Sequence, residues 1–208
     1  MFNDSIKNYL QLFNQIQSPL LRKLKIDNES RNDVQPHICA ELAGLLNFLI
    51  LSTGAVNILE LGTSNGFSTI SMGEAVKENN GQILSIDSKH RLHLEAIKNV
   101  EDAGLNEYIE LVYADAADYV NSLDTQFDLI FQDCGKYLYR ELLEKLISLL
   151  APGGILIADD TLFKPIDTIR DSLSDYMHQY NMMVFNDKRL VSVILPIGMG
   201  VTLSWKRK

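Results

Sequence analysis

The sequence predicts an α/β fold, an open and doubly wound, mostly parallel sheet with N-terminal helices and a C-terminal antiparallel hairpin. From Val56 onward, short β-rich runs alternate with helical stretches, which implies right-handed crossovers between parallel strands. Near the C-terminus, two further β-rich runs are joined by a glycine-containing turn, which is typical of a hairpin. The 208 residues contain no internal repeat and no Pro/Gly/Ser linker. We therefore expect a single domain over 1–208, with a helical cap at 1–52 and a core at 53–208.

The N-terminal cap is predicted from apolar residues that recur at helical spacing. They are Tyr9, Leu10, Leu12, Phe13 and Ile16. Ser18-Pro19 interrupts this pattern, a polar stretch follows at 27–35, and Pro36 leads into a second helix that ends near residue 51. We expect these helices to pack across an edge of the sheet and to offer a surface for a homodimer.

The core is predicted as five strands, the helices between them and the final hairpin. The strands are expected at 56–61, 82–86, 109–113, 127–132 and 154–158. The helices are expected at 67–78, 89–103, 115–122 and 137–150, followed by a long helix at 166–185. The hairpin strands are expected at 190–195 and 201–205, with at least one antiparallel pairing. In such a sheet a ligand binds outside the carboxyl ends of the strands, where strand order reverses.

Composition and charge argue against several classes of protein. A hydrophobic content of 46% with 22% charged residues is typical of an ordered globular chain. No apolar run approaches the ~20 residues of a membrane helix, and residues 1–12 carry polar side chains that a secretory signal would lack. The net charge of −8 opposes sequence-independent binding of nucleic acid. Two distant cysteines, Cys39 and Cys134, make no disulfide framework, so we expect a cytoplasmic protein with free thiols.

A glycine-containing loop directly follows the first predicted strand and opens a helix. It runs Glu60-Leu61-Gly62-Thr63-Ser64-Asn65-Gly66-Phe67-Ser68. Gly62 and Gly66 allow a tight turn and a close approach of the backbone to a ligand. Because Ser64 stands two residues after Gly62, the dinucleotide fingerprint GxGxxG is not met, and no Gly-Lys-Ser/Thr follows to make a P-loop. Glu60 at the strand end would repel a pyrophosphate but suits a cationic ligand.

Two further features favour a nucleoside-bearing cation at this edge of the sheet. Asp87 ends the second strand, where a carboxylate can accept both hydrogen bonds of a ribose diol. The turn Tyr113-Ala114-Asp115-Ala116 follows the third strand beside the same crevice. An acidic residue at a strand end can also be a plain helix cap. Together with the glycine loop, however, these features point to S-adenosylmethionine, whose sulfonium is positively charged.

Three carboxylates are predicted to gather beside the glycine loop. Asp133 closes the fourth strand and Asp159-Asp160 close the fifth, and neighbouring parallel strands would bring them to one edge of the sheet. Such a cluster is repulsive unless a cation lies within it, and oxygen ligands favour Mg²⁺, Mn²⁺ or Ca²⁺. Lys136 can face the same site, where a metal and a sulfonium should lower its pKa and make it a general base. The alternative is that the carboxylates cap the following helices and that Lys136 is solvated.

In these motifs the sequence resembles the cation-dependent O-methyltransferases, a family that includes the catechol and caffeoyl-coenzyme A O-methyltransferases. The resemblance runs from about Pro36 to the C-terminus. Its segments are the loop 60–68, Asp133-Cys134-Gly135-Lys136, Ala158-Asp159-Asp160-Thr161-Leu162 and Leu195-Pro196-Ile197-Gly198. It implies a Rossmann-like class I methyltransferase fold, metal ligation by Asp133, Asp159 and Asp160, and a base role for Lys136.

The resemblance also implies which residues meet the cofactor. The residues expected at S-adenosylmethionine are Glu60, Gly62, Thr63, Ser68, Asp87, Asp115, Ala116 and Asp133. Of these, Ser68 is expected near the carboxylate of the cofactor and Asp87 on its ribose.

Three departures from the family pattern bear on the substrate. Asp160 stands where the family usually has Asn, which adds a negative charge to the metal site. Met199 replaces the Asp that is common in the Gly-Asp-Gly turn. Only Phe163-Lys164-Pro165 separates the second metal motif from the next predicted helix, where relatives carry a longer loop that helps to cover the substrate. We therefore expect a more open mouth.

The leading hypothesis is methyl transfer from S-adenosylmethionine to a hydroxyl of a small aromatic substrate, with Mg²⁺ bound by the three carboxylates. A second hypothesis replaces the acceptor by a hydroxylated base of transfer RNA. The expected open mouth and the basic clusters at 22–25 and 206–208 favour it, and the net charge opposes it. A third hypothesis is a non-catalytic protein that binds S-adenosylmethionine, against which the presence of Lys136 beside the carboxylates speaks.

Overall fold

The structure is a computed structural model that describes residues 4–16 and 18–208; the predicted domain 1–208 also includes residues 1–3 and 17, which lie outside the described residues. Within the described residues the helices are α1 (Asp4–Leu10), α2 (Pro19–Glu29), α3 (Ala40–Thr53), α4 (Phe67–Glu78), α5 (His90–Asp102), α6 (Ala116–Ser122), α7 (Lys136–Leu149) and α8 (Asp171–Asn186). The strands are β1 (Asn57–Leu61), β2 (Gln82–Asp87), β3 (Ile109–Tyr113), β4 (Phe127–Gln132), β5 (Leu150–Asp159), β6 (Leu190–Leu195) and β7 (Val201–Lys206). None of these described helices has both the length and the apolar character needed to cross a membrane.

These strands form one sheet in the order β3-β2-β1-β4-β5-β7-β6. Strands β1 to β5 run parallel, while β7 pairs antiparallel with both β5 and β6. Strand order reverses between β1 and β4, because the chain first proceeds outward to β3 and then returns to the other side of β1. A crevice therefore opens at the carboxyl ends of β1 and β4, where ligands bind in sheets of this kind. The predicted doubly wound, Rossmann-like α/β fold with a C-terminal hairpin is confirmed.

Helices cover both faces of the sheet, and each central strand divides its side chains between the two faces. Ile58 of β1 and Leu129 of β4 pack on the face covered by α2, α3 and α4. Their neighbours Leu59 and Ile130 pack on the opposite face against α6, α7 and α8. The strands read as nearly continuous apolar runs because both of their faces are buried.

Helices α2 and α3 lie on a face of the sheet and not across its edge. Leu42, Leu46 and Ile50 recur at helical spacing along α3 and are buried in the same cluster as Ile58 and Leu129. Helix α2 adds two leucines to this cluster and contacts α4. The expectation of edge packing is wrong, because a stripe of large aliphatic side chains buries more apolar area against a sheet face than against a polar strand edge.

Ser18-Pro19 begins a helix and does more than interrupt one. The hydroxyl of Ser18 accepts the main-chain N–H of Leu21 at 3.5 Å, and Pro19 takes the first position of α2, where its missing N–H is not needed. Part of the predicted polar stretch at 27–35 is therefore helical. The next helix begins at Ala40 and not at Pro36.

The connection between β5 and α8 is longer than expected. Helix α8 begins at Asp171, so residues 160–170 link the two elements, and the prediction of a three-residue connection is wrong. The N–H of Ile166 bonds to the carbonyl of Phe163 and that of Ile169 bonds to Ile166, which makes turns of three-residue spacing in place of an α-helix. The apolar residues of this segment therefore imitate the start of a helix in the sequence. The argument for an open mouth, which depended on a short connection, loses its basis.

Candidate active site

A cavity of about 740 Å³ lies at the carboxyl ends of β1, β2, β4 and β5. Its walls contain all but one of the residues that were predicted to bind the cofactor, to ligate the metal or to act as the base. They are Gly62, Thr63, Ser68, Asp87, Asp115, Ala116, Asp133, Lys136, Asp159 and Asp160. A smaller cavity of about 300 Å³ lies near the amino ends of β1, β2 and β3 and contains none of these residues. The structure therefore brings the predicted site residues together at the expected edge of the sheet.

Glu60 is the predicted site residue that does not line the cavity. It is fully buried beneath the glycine loop and accepts hydrogen bonds from the hydroxyls of Ser68 at 2.5 Å, Ser85 at 2.6 Å and Thr69. Burial raises the pKa of Glu60 to about 7, although the three hydroxyls lower it, and the charge of Asp133 adds to the rise. This arrangement ties the start of α4 to β2, so Glu60 holds Ser68 in place from below. Direct contact of Glu60 with a cofactor stays a prediction.

The first glycine of the loop permits β1 and β4 to end side by side. Gly62 has a φ of +109°, a conformation that L side chains rarely adopt. Its N–H donates to the carbonyl of Ile86 at 2.9 Å, and the N–H of Asp133 donates to the carbonyl of Leu61 at 2.9 Å. The loop is thereby held by β2 on one side and β4 on the other. Its main chain forms the floor of the cavity.

Asp87 and Asp115 both accept hydrogen bonds from the main chain. Asp87 accepts the N–H of Ser64 and the N–H of Lys89, each at 2.7 Å and each on a different carboxylate oxygen. Each oxygen keeps a second lone pair, so the carboxylate can still accept from a ribose hydroxyl. Asp115 caps α6 by accepting from the N–H of Ala117 at 2.8 Å and of Asp118 at 3.3 Å. The helix-cap interpretation is therefore correct for Asp115, although this residue also lines the cavity.

The carboxylate cluster consists of Asp133, Asp159 and Asp160, which each offer an oxygen within 4.8 Å of the other two. Burial raises the pKa of Asp159 to about 7, and the neighbouring charges of Asp133 and Asp160 raise it further. Burial likewise raises the pKa of Asp133, while the charge of Lys136 lowers it. A divalent cation would relieve this repulsion, and three carboxylate oxygens are a donor set that Mg²⁺, Mn²⁺ and Ca²⁺ accept. The residues present therefore fit a hard divalent ion.

Lys136 lies against the carboxylate cluster at the start of α7. Its amine nitrogen is 3.1 Å from a carboxylate oxygen of Asp160 and 3.3 Å from one of Asp133, and it donates to the hydroxyl of Tyr139 at 2.9 Å. Burial lowers the pKa of Lys136, but the charges of the cluster raise it by more. In the protein alone the charges of the three carboxylates outweigh the loss of solvent. The expectation of a lowered pKa concerns a site that also holds a metal and a sulfonium, and it stays a prediction.

Several side chains of the cavity were not singled out from the sequence. Phe163 and Leu173 belong to the connection after β5 and to α8, and they give one wall an apolar character. The ring of His37, which also lines the cavity, stacks on Phe67 with centroids 4.2 Å apart and planes 16° apart. Such pairs join segments far apart in the chain, and a single sequence gives no signal for them. Cys134 also lines the cavity, but burial raises its pKa to about 12, so it remains an unreactive thiol.

Comparison with known proteins matches this chain to a protein family. Residues 13–207 match the model of a family described as O-methyltransferase. A caffeoyl-CoA O-methyltransferase of Populus kitakamiensis is 26% identical over 176 residues, which span 76% of this chain and 73% of that protein. A catechol O-methyltransferase of Niastella koreensis is 34% identical over 112 residues, which span 52% of this chain and 50% of that protein.

The fold has close counterparts among solved structures. The crystal structure of an O-methyltransferase from Bacillus cereus, in complex with SAH, superposes with a TM-score of 0.86 at 22% identity and covers 98% of this chain and 97% of that one. At this identity the likeness establishes the shared fold. The family match, by contrast, spans nearly the whole chain, from residue 13 to residue 207. The chain therefore belongs to the O-methyltransferase family.

Proposed function

We propose that the protein transfers the methyl group of S-adenosylmethionine to one of two adjacent hydroxyls on a small aromatic acceptor, with the help of a divalent cation. One observation carries this proposal: the three aspartates of the carboxylate cluster and Lys136 converge on one wall of the cavity that also contains the glycine loop. The Populus and Niastella relatives are named for caffeoyl-CoA and for catechol, which supports an aromatic diol as the acceptor.

S-adenosylmethionine is the methyl donor that suits the part of the cavity beside β1 and β2. Gly62 lines the cavity with its main chain packed against the end of β4, and Asp87 keeps lone pairs for the ribose hydroxyls. Ser68 is the candidate for the carboxylate end of the donor. Its hydroxyl proton is donated to Glu60, so its main-chain N–H in the first turn of α4 is the group left for that carboxylate. The nearby aspartates favour a sulfonium electrostatically. The Bacillus cereus structure is named as a complex with SAH, the product that such a donor leaves.

Asp133, Asp159 and Asp160 would hold the divalent ion, for which Mg²⁺ is the first candidate and Mn²⁺ and Ca²⁺ are the alternatives. When bound, such an ion supplies Lewis acidity that lowers the pKa of a hydroxyl beside it. Lys136 then accepts the proton of the acceptor hydroxyl, and the oxygen forms a bond to the methyl carbon while the bond from that carbon to sulfur breaks. The products are the methyl ether and S-adenosylhomocysteine. The walls of the cavity contribute by holding the oxygen and the methyl group at reacting distance.

The test uses two variants and one chelation experiment. Lys136→Ala and Asp133→Ala should each abolish methylation of catechol while the protein remains folded, because the first removes the base and the second removes a metal ligand. Lys164→Ala is the matched control, since Lys164 is exposed and pairs with Asp175 outside the cluster. EDTA should stop the wild-type reaction and added Mg²⁺ should restore it. Full activity in EDTA would refute the role of the cation.

The two other hypotheses have less support. Methylation of a transfer RNA base was favoured by an open mouth, and residues 160–170 remove that argument, while the net charge of −8 still opposes it. A steep dependence of RNA binding on salt would favour it. A non-catalytic protein would need neither the ordered amine of Lys136 nor the cluster beside it. Calorimetry that shows binding of S-adenosylmethionine without turnover over a panel of catechols and divalent ions would favour the non-catalytic hypothesis.

A homodimer and a cytoplasmic location stay predictions. In support of the dimer, Phe48 and Leu51 of α3 are exposed, as are Val191 and Val193 of the edge strand β6. Exposed apolar side chains and an unpaired strand edge are both common at interfaces between copies. Sedimentation velocity at micromolar concentration would distinguish a dimer from a monomer.

A further inference from the structure

Tyr139 lies one helical turn after Lys136 on α7, and its side chain is fully buried. Its hydroxyl oxygen stands 2.9 Å from the amine nitrogen of Lys136. The same oxygen stands 2.8 Å from the main-chain oxygen of Gln132 and 3.1 Å from that of Asp159. These two carbonyls belong to the ends of β4 and β5, so one hydroxyl connects both strand ends that carry the carboxylate cluster to the amine.

The direction of these hydrogen bonds follows from the number of protons. A phenol has a single proton, and a carbonyl oxygen can only accept one. The hydroxyl of Tyr139 therefore donates to the carbonyls of Gln132 and Asp159, which share its proton. Toward Lys136 it can act only as an acceptor. The carbonyls thus fix Tyr139 as a permanent acceptor for the amine.

The amine of Lys136 has as many oxygen partners as it has N–H bonds when protonated. They are the hydroxyl of Tyr139 at 2.9 Å, Asp160 at 3.1 Å and Asp133 at 3.3 Å. A deprotonated amine keeps two N–H bonds and one lone pair. A lone pair directed at Tyr139 would face an oxygen that offers no proton. One N–H bond of the Lys136 amine therefore continues to donate to the Tyr139 hydroxyl. The lone pair then faces the side of the carboxylates, which opens into the cavity.

We propose that Tyr139 is a positioning residue whose hydroxyl aims the lone pair of Lys136 at the acceptor hydroxyl. This inference rests on the proposed function, in which Lys136 accepts the proton. It assigns to Tyr139 no contact with the substrate or the methyl donor. It holds the Lys136 amine in one orientation, whereas a long, flexible side chain would otherwise sample several.

The chain offers a matched control in Tyr180. Its ring packs edge-on against that of Tyr139, with centroids 5.4 Å apart and planes 83° apart, and it is also fully buried. Its hydroxyl, however, finds no hydrogen-bond partner among the described residues. Tyr139→Phe and Tyr180→Phe therefore remove the same atom from neighbouring rings in the same core, and only the first removes the acceptor of Lys136.

The experiment compares two acceptors, catechol and 4-nitrocatechol, whose hydroxyl is far more acidic and needs less help from a base. With catechol, Tyr139→Phe should lower kcat by about tenfold or more, while KM and the affinity for S-adenosylhomocysteine change by less than about twofold. With 4-nitrocatechol the loss should shrink to less than about threefold. Tyr180→Phe should behave as wild type with both acceptors. In a Lys136→Met background, assayed with 4-nitrocatechol because that acceptor needs less help from a base, Tyr139→Phe should cause no further loss, because the residue acts through Lys136.

Three results of the activity assays would overturn the inference: equal losses with both acceptors, the same loss in both tyrosine variants, or a further loss in the Lys136→Met background. Failure of the proposed function is recognised separately, because the wild-type protein would then methylate neither catechol nor 4-nitrocatechol in the presence of Mg²⁺. In that event the placement of the amine is read from crystal structures without acceptor. Lys136 should leave its wild-type position in Tyr139→Phe and keep it in Tyr180→Phe, and an unmoved amine in both would also overturn the inference.

Discussion

Gly62 and the main-chain carbonyl of Asp133 lie so close that no side chain fits between them, since a β-carbon on Gly62 would stand 2.7 Å from the carbonyl carbon of Asp133. The cavity floor and the carboxylate cluster are joined at this contact. The glycine is required here for two reasons, its positive φ and the neighbouring strand end, and these reasons can be separated by experiment.

Gly62→Ala should lower the free energy of unfolding by about 3 kcal/mol, because overpacking adds to the strain of a positive φ. It should also abolish binding of S-adenosylhomocysteine, since the loop must move away from β4. Gly54→Ala is the control: Gly54 has a φ of +67° and open space around it, so only the backbone strain of about 1 kcal/mol applies. Urea unfolding of both variants measures the difference. Equal losses would show that packing against Asp133 is unimportant.

Glu60 should make stability depend on pH. Its pKa of about 7 in the folded protein lies above the ordinary value of 4.5, so the folded chain keeps a proton that the unfolded chain loses. The free energy of unfolding should therefore fall as pH rises from 4.5 to 7, by an amount on the order of 3 kcal/mol for this group. Glu60→Gln removes this titration. The free energy of unfolding of the variant minus that of wild type should therefore increase from pH 4.5 to 7 and be constant above pH 7.

Glu74→Gln serves as the control for this measurement, because Glu74 is an exposed glutamate on α4, the helix whose first turn is bonded to Glu60. It also removes one carboxylate but leaves the hydrogen bonds of Glu60 intact, so it should not reproduce the pH-dependent difference of Glu60→Gln. Contributions from other titrating groups cancel in the comparison, since both variants retain them. A Glu60→Gln curve that runs parallel to that of wild type between pH 4.5 and 7 would contradict the raised pKa.

Binding of Mg²⁺ should weaken below neutral pH. Asp159 has a pKa of about 7, raised first by burial and then by the charges of Asp133 and Asp160, and its protonated form is a poor ligand. At pH 6 the dissociation constant for Mg²⁺ should be about tenfold larger than at pH 8. The rise in Tm on adding Mg²⁺ should shrink accordingly. Differential scanning fluorimetry at the two pH values measures it.

Asp159→Asn should remove most of the Mg²⁺-dependent rise in Tm, whereas Asp175→Asn should leave it unchanged. Asp175 is an exposed carboxylate that pairs with Lys164 outside the cluster, so it controls for the loss of one negative charge. An equal response of both variants would mean that Mg²⁺ stabilises the chain through its overall charge and not through the cluster.

The alternation of strands and helices was predictable because it depends on the local spacing of apolar residues. Strands at 109–113, 127–132 and 190–195 were predicted with the bounds observed, and so was the helix at 67–78. The convergence of Asp133 with Asp159 was predictable for a different reason: parallel strands that neighbour each other end at the same edge. A rule of topology therefore extended local information to a site built from distant residues.

The errors share a physical cause, which is that they depend on contacts between segments distant in the chain. The apolar spacing of Ile166 and Ile169 fits a helix, but the segment folds as turns that border the cavity. The direction of the pKa shift of Lys136 in the protein alone depends on the balance between burial and three charges, which the sequence does not show. The hydrogen bonds of Tyr139 join α7 to two strand ends, and no sequence pattern near residue 139 indicates them.

A network of ion pairs should stabilise the part of the cavity wall that residues 35–39 form. Arg31 pairs with Glu95 of α5 at 2.8 Å and with Asp33 at 2.9 Å. This network fixes the start of the segment 31–39, whose His37 stacks on Phe67 beside the glycine loop. Burial lowers the pKa of His37, so its ring is neutral in this stack near pH 7.

Arg31→Ala should therefore weaken the binding of S-adenosylhomocysteine by about threefold, the scale of exposed ion pairs. The effect should disappear in 1 M salt, because screening removes the pairs from the wild-type protein as well. Arg189→Ala is the control, since Arg189 makes similar pairs with Glu144 and Asp187 and neither it nor its partners line the cavity. Isothermal titration calorimetry at low and high salt measures both variants. If Arg189→Ala weakens binding as much as Arg31→Ala does, the effect is one of general stability, and the segment 31–39 does not depend on its ion pairs to shape the cavity.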